Sequence, residues 1–181
     1  MNKILITSLI TTILVSTIFV GCGQKTTVQQ TQKVEVEQFP SWIDSPSYED
    51  SIAITVSSTK NATTSFNTTR DEAYKNAKNE LDINLKIKIS TTIKSLSTKN
   101  ASIEDIDSAA KQITKNIIDR AKIVKLFQSK TGTIYVLNTI KISLITNEMD
   151  KFLSTSSNTK LYQNFLMAKS DGSLDIKLQN N

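Results

Sequence analysis

Between Ala73 and Ile89 the chain carries two hydrophobic periods at once. Ala73, Ala77, Leu81 and Leu85 recur at every fourth residue, which sets them on one stripe of a helix. Leu81, Ile83, Leu85, Ile87 and Ile89 also alternate with Asp82, Asn84, Lys86 and Lys88, which taken alone is the pattern of a half-buried strand. The two periods demand different folds. A strand places all these apolar residues on one face, whereas a helix divides them between opposite sides. Thr69 followed by Glu72 has the form of a capping box, and together with the alanine spacing it favours a helix through about Leu96. A helix cannot turn all of this apolar surface to one core, so part of it needs another partner.

The flanking segments fix the rest of the outline. From Ser51 to Ser58, Ile52, Ile54 and Val56 alternate with Ala53, Thr55 and Ser57, the signature of a strand with one buried face. Thr59 to Thr68 is an Asn/Thr/Ser-rich loop. Ser102 is placed to cap a second helix, Glu104 and Asp105 complement its dipole, and Ile103, Ile106, Ala110, Ile113 and Ile117 form its buried stripe to about Arg120. Two β-rich runs follow, Ile123 to Ser129 and Thr133 to Ser143, joined by Lys130-Thr131-Gly132 with Gly132 supplying positive φ. A short helix is predicted around Asn147 to Leu153, another over Thr159 to Lys169, and a loose tail from Ser170. The order strand, helix, helix, strand, strand, helix predicts an α+β fold with helices packed on one face of a small antiparallel sheet.

At the N-terminus, Lys3 precedes a charge-free run from Ile4 to Val20 that ends in Gly21 and Cys22. This is the layout of an export signal. The run is broken by Thr7, Ser8, Thr11, Thr12, Ser16 and Thr17, and it falls short of the roughly 20 apolar residues that span a bilayer. Phe19-Val20-Gly21-Cys22 resembles the lipobox of bacterial lipoproteins. The resemblance implies that residues 1–21 are a signal peptide and that Cys22 is the lipid attachment site, carrying diacylglycerol on its sulfur and further acyl chains of the palmitate kind. Because Cys22 is the sole cysteine, no thiol or disulfide chemistry is then left. Each buried methylene contributes about 0.8 kcal/mol, so two or more chains form a stable lipid anchor. Gly23 and Gln24 lack the aspartate that commonly retains lipoproteins at an inner membrane, and by that analogy the location is the outer membrane. Residues 22–38 are polar and aperiodic and read as a flexible tether. Residues 39–145 then form the α+β domain, and 146–181 a C-terminal helical extension and tail.

The opening Phe39-Pro40-Ser41-Trp42-Ile43, the strand and alanine-spaced helix behind it, and Thr133-Ile134-Tyr135-Val136-Leu137 together resemble the twenty-kilodalton outer-membrane lipoprotein family, which includes flagellar assembly lipoproteins. The likeness covers about residues 39 to 145, with Ala53 standing where the commoner pattern has glycine. It implies a non-catalytic envelope protein, either built into rings or disks around a flagellar motor or exposed as a surface antigen. It carries over no catalytic residues. Trp42 is expected to close one end of the core, its other reading being an anchor for a partner.

The side-chain inventory restricts chemistry further. The chain has no histidine, which removes His-based triads, the common zinc sites and a near-neutral general base. Its four glycines form no phosphate-cradling loop. Asp71 and Glu72, and Glu104, Asp105 and Asp107, stand at predicted helix starts where the dipole already accounts for them. No catalytic residue, metal site or cofactor is therefore expected. Asn61, Asn67 and Asn100 match a glycosylation acceptor, read as coincidence in so Asn- and Thr-rich a chain. The formal charge of +5 comes from lysines interleaved with acids and apolar residues, a solvated face, and nucleic acid is not an expected partner. The expected partners are the membrane through acylated Cys22, further copies of the chain, or other envelope proteins. The sequence reads best as a structural or interaction lipoprotein that self-associates through its helical face, a motility-related assembly being the setting the resemblance implies. The alternative is a binding module that regulates a cell-wall synthase or carries a small apolar ligand.

Overall fold

The structure, a computed structural model, describes residues 37–97 and 103–180. Cys22, the signal peptide and most of the tether lie outside these residues, as do Asn100 and the cap Ser102. Three strands, β1 (Ser51–Thr59), β2 (Lys122–Gln128) and β3 (Thr133–Lys141), form an antiparallel sheet in the order β1-β3-β2. Five helices accompany it: α1 (Phe66–Leu96), α2 (Ile103–Ile117), α3 (Ile142–Ser154), α4 (Thr159–Ser170) and α5 (Ser173–Asn180). The fold is α+β, with the helices packed against the sheet as the sequence predicts. The hairpin between β2 and β3 also forms where expected, with Gly132 at φ +85°.

β3 takes the central position because both its faces are apolar. Ile134, Val136 and Ile140 point to the helices, opposite Ser58, Val56 and Ile52 of β1, while Leu137 faces the other way opposite Thr55. All four of these β3 side chains are buried.

In α1 the two hydrophobic periods separate. Leu81, Leu85 and Ile89 are fully buried in the main core, while Ile83 and Ile87 remain 49% and 56% exposed. The helix starts earlier than the sequence predicts. Its N-cap is Ser65, whose hydroxyl accepts from the Thr68 N–H at 3.2 Å. Thr69 is instead buried inside the helix and donates to the Ser65 carbonyl at 3.0 Å, and Glu72 accepts from Ser58 at 3.3 Å. A turn closed by Thr64 N–H on the Asn61 carbonyl reverses the chain just before Ser65, so the upstream cap wins.

α2 runs back along α1, tied by Ser90 to Asp107 at 2.7 Å, and the helical turn after it, Ile118–Arg120, is tied by Lys78 to Asp119 at 2.6 Å. Ile106, Ala110, Ile113 and Ile117 of its stripe are buried. α3 begins at Ile142, directly after β3, rather than at Asn147. The alternation of Ile140 and Ile142 conceals this start, whereas burial of Ile142, Ile145, Thr146, Met149 and Leu153 shows the helical spacing. A second correction concerns the tail. Gly172 at φ +76° turns the chain into α5, which buries Leu174 and Leu178 completely. Residues of all five helices belong to one apolar cluster, so the C-terminal helices share the core of the α+β layer.

Candidate functional site

The far side of the sheet is covered by the segment that precedes β1. Glu37 accepts from the Lys130 N–H at 2.7 Å, which fixes the start of this strap on the hairpin loop. Phe39 then packs edge-on against Phe127 and Tyr135, with centroids 5.6 and 5.7 Å away, and the short helical turn Ser41–Ile43 follows. Thr55 donates to the Trp42 carbonyl at 2.8 Å. Trp42 is half-buried on this face and joins neither apolar cluster, so it does not close the helix-side core as the sequence suggests. It holds a strap on the opposite face. The aromatic trio is legible only from the hairpin register, which sets Phe127 opposite Tyr135.

The β2 edge of the sheet is poorly suited to pairing with another chain. On β2, Lys122 and Lys125 are exposed, and a register shift between Ile123 and Lys125 bends the strand. Lysines and bulges on an edge strand oppose strand addition. The outer stripe of α1 lacks such protection: Ile83 and Ile87 are four residues apart and therefore adjacent, with exposed Asn79, Glu80, Thr91 and Lys94 around them. Leu166 and Met167 on α4 and Ile176 on α5 are also 41%, 67% and 58% exposed. Leu166 and Met167 stand on the helix the sequence predicts over Thr159 to Lys169, whereas Ile176 falls in the stretch read as a loose tail.

The predicted carboxylates do not converge. Asp71 pairs with Arg70 at 2.9 Å, Glu72 meets Ser58, Asp107 meets Ser90, and Glu104 is exposed. Asp105 lies apart from these on the rim of a groove of about 450 Å³ between α1, α2, α3 and α4. The groove has an apolar floor that includes Ile93, Ile106, Leu153 and Leu161, and its far rim carries Ser156, Ser157 and Asn158. Among the described residues, no group of histidine, cysteine and carboxylate side chains is placed to hold a metal ion, and no helix is long and apolar enough to cross a membrane. Asn61 stands in the turn before α1, and Asn67 is exposed on its first turn.

Two ion pairs outside the groove shift titration. The Lys169 ammonium, 2.5 Å from Asp150, holds that carboxyl below its ordinary range, with the Tyr162 hydroxyl adding a bond at 3.0 Å. Hydrogen bonding from Lys78 likewise lowers Asp119, while burial lowers the Lys88 ammonium, which donates to the Gln179 carbonyl at 3.1 Å.

These features define an α+β domain with a strapped sheet and an apolar stripe on its longest helix. Comparison with protein-family models, with curated proteins and with solved structures gives no match.

Proposed function

We propose that this chain is a non-catalytic outer-membrane lipoprotein, anchored through Cys22, with a structural or interaction role in the cell envelope. Self-association runs through the outer face of α1, and the assembly is of the motility-related kind found in the twenty-kilodalton outer-membrane lipoprotein family. The observation that carries the reading is the adjacent exposed pair Ile83 and Ile87. Two β-branched residues on a solvent-facing stripe bring neither helix propensity nor burial to the isolated domain. Contact with a second copy gives them burial. The lysines and bulge of β2 favour this face over the β2 edge of the sheet.

Sedimentation tests the association. Residues 36–181 form one compact unit with its own core, and this fragment is expected to associate with rising concentration. A double variant with Ile83→Gln and Ile87→Gln should remain monomeric while folding normally. A wild-type fragment that is monomeric at every concentration refutes the assembly. Mass spectrometry of protein isolated from its native host tests the anchor separately, since absence of a lipid adduct on Cys22 removes the membrane location.

A second reading, carriage of a small apolar ligand, draws on the groove between α1, α2, α3 and α4. Its volume falls within the range of roughly 300–1,000 Å³ typical of ligand pockets. Uptake of a fluorescent fatty acid, displaced by filling the groove with Ala109→Phe, distinguishes this from assembly.

A further inference from the structure

The outer face of α1 carries more than its two isoleucines. Glu80, Ile83, Ile87, Thr91 and Lys94 are all exposed and follow one another at intervals of 3, 4, 4 and 3 residues. Such spacing draws a single seam along a helix, about 21 Å long. The intervals read the same in both directions, with Ile87 at the centre. A twofold axis through Ile87 therefore lays the seam of a second copy, running the opposite way, onto the first.

Charge selects that direction. The charged side chains from Lys78 to Lys94 are Lys78, Glu80, Asp82, Lys86, Lys88 and Lys94. Lys78 pairs with Asp119, Asp82 pairs with Lys86, and Lys88 donates to the Gln179 carbonyl. Of the six, only the side chains of Glu80 and Lys94 make no hydrogen bond or ion pair among the described residues. These two stand at the ends of the seam, one of each sign. A second copy lying parallel sets Glu80 beside Glu80 and Lys94 beside Lys94, whereas an antiparallel copy sets each Glu80 beside a Lys94. The spacing also separates two antiparallel registers. A copy shifted so that Ile83 meets Ile87 faces Glu80 with Ser90 and Lys94 with Asn76, which leaves both charges without a partner.

We propose that α1 pairs antiparallel with α1 of a second copy about a twofold axis at Ile87, so that Ile87 meets Ile87, Ile83 meets Thr91, and Glu80 meets Lys94 at both ends. This rests on the reading that the outer face of α1 self-associates, and adds the direction of the partner, the register and the number of copies. The isoleucines and the Thr91 methyl groups cover one another in the middle of the seam. The charges lie at its rim, where they set orientation more than affinity. A contact of this kind uses the same patch on both copies and closes at two. Growth beyond a dimer then needs a different surface.

The fragment of residues 36–181 contains no cysteine, so single introduced cysteines report the pairing directly. Packed helix axes stand about 8–10 Å apart, which brings facing Cα atoms within reach of a disulfide. Under mild oxidation Ile87→Cys should link to itself, and Glu80→Cys mixed with Lys94→Cys should form the mixed dimer about tenfold faster than either variant links to itself. Sedimentation of charge variants gives a second readout. Glu80→Lys and Lys94→Glu should each raise the dimer dissociation constant about five- to tenfold, because each sets like charges together at both ends. The double variant Glu80→Lys/Lys94→Glu should return it to within about twofold of wild type. Both residues are exposed, so unchanged melting temperatures separate loss of pairing from loss of fold. Self-linking of Glu80→Cys as fast as the mixed reaction means a parallel pair, and linking of Ile83→Cys to Ile87→Cys in place of Ile87→Cys to itself means the shifted register. Either result overturns the assignment, as does a double variant that dimerises no better than the single ones. A fragment that is monomeric at every concentration instead refutes self-association through this face, and the register with it.

Discussion

Leu85→Ala and Ile87→Ala lie two residues apart, yet the structure assigns them very different costs. Leu85 is fully buried in the main apolar cluster. Truncating such a leucine removes its transfer free energy and leaves a cavity, together about 2–5 kcal/mol. Ile87 is 56% exposed, so less than half of the roughly 1.5–3 kcal/mol available from burying an aliphatic side chain is at stake. Alanine also returns a few tenths of a kcal/mol of helix propensity, which brings the net cost of Ile87→Ala below about 1 kcal/mol. Urea unfolding of the two variants, with midpoints compared at a common slope, measures the difference directly. With a slope of about 1–3 kcal/mol per molar, a difference of about 1–5 kcal/mol puts the Leu85→Ala midpoint at least about 0.3 M below that of Ile87→Ala, and about 1 M or more below it when the cavity is not relieved. Near-equal losses would refute the reasoning, because residues 85 and 87 share a face only if this segment is a strand. The comparison therefore tests the assignment of α1 as well as its packing.

Three further outcomes follow from the same geometry. Leu178→Ala should cost about 2–5 kcal/mol in thermal or urea unfolding, since this fully buried side chain fastens α5 to the core; a change within about 0.5 kcal/mol would show α5 to be undocked. Gly132→Ala should destabilise by about 1–2 kcal/mol because an L-residue is strained at φ +85°, and Gly132→Asn should lose less; equal stability of all three chains would contradict the turn. Asp150 has a lowered pKa in the folded chain, so its contribution is present above the unfolded value of about 3.9 and is lost as pH falls through the lower folded one. Asp150→Asn should accordingly narrow its stability gap from wild type between neutral pH and about pH 2, whereas a gap independent of pH would exclude the Lys169 pairing as its source.

Much of the architecture could be read locally. The alternation of Ile52, Ile54 and Val56, the stripe from Ile106 to Ile117 and the turn at Gly132 each repeat a pattern that one element needs in order to bury one face. Boundaries were less legible where neighbouring signals compete. Ser65 and Thr69 both sit three residues before a polar partner, and only the turn at Asn61 to Thr64 selects the first. Ile140 and Ile142 alternate like a strand, but backbone pairing stops at Lys141, where Ser51 ends the partner strand. The strap has no local signature because Trp42 carries no period, and Phe39 seats against aromatic residues nearly a hundred positions further along the chain.

By itself the sequence determined the class of fold, the separation of a polar N-terminal segment from a patterned domain, and a side-chain inventory without histidine. All three follow from composition and short-range periodicity, which need no knowledge of distant contacts. Tertiary structure alone decided which apolar residues of α1 face the core, where the strap lies, and that Ser173–Asn180 form a helix docked on the core through Leu174 and Leu178. Leu174 and Leu178 make too short a pattern to specify a helix on their own; they become one because the core has an apolar surface for them to cover.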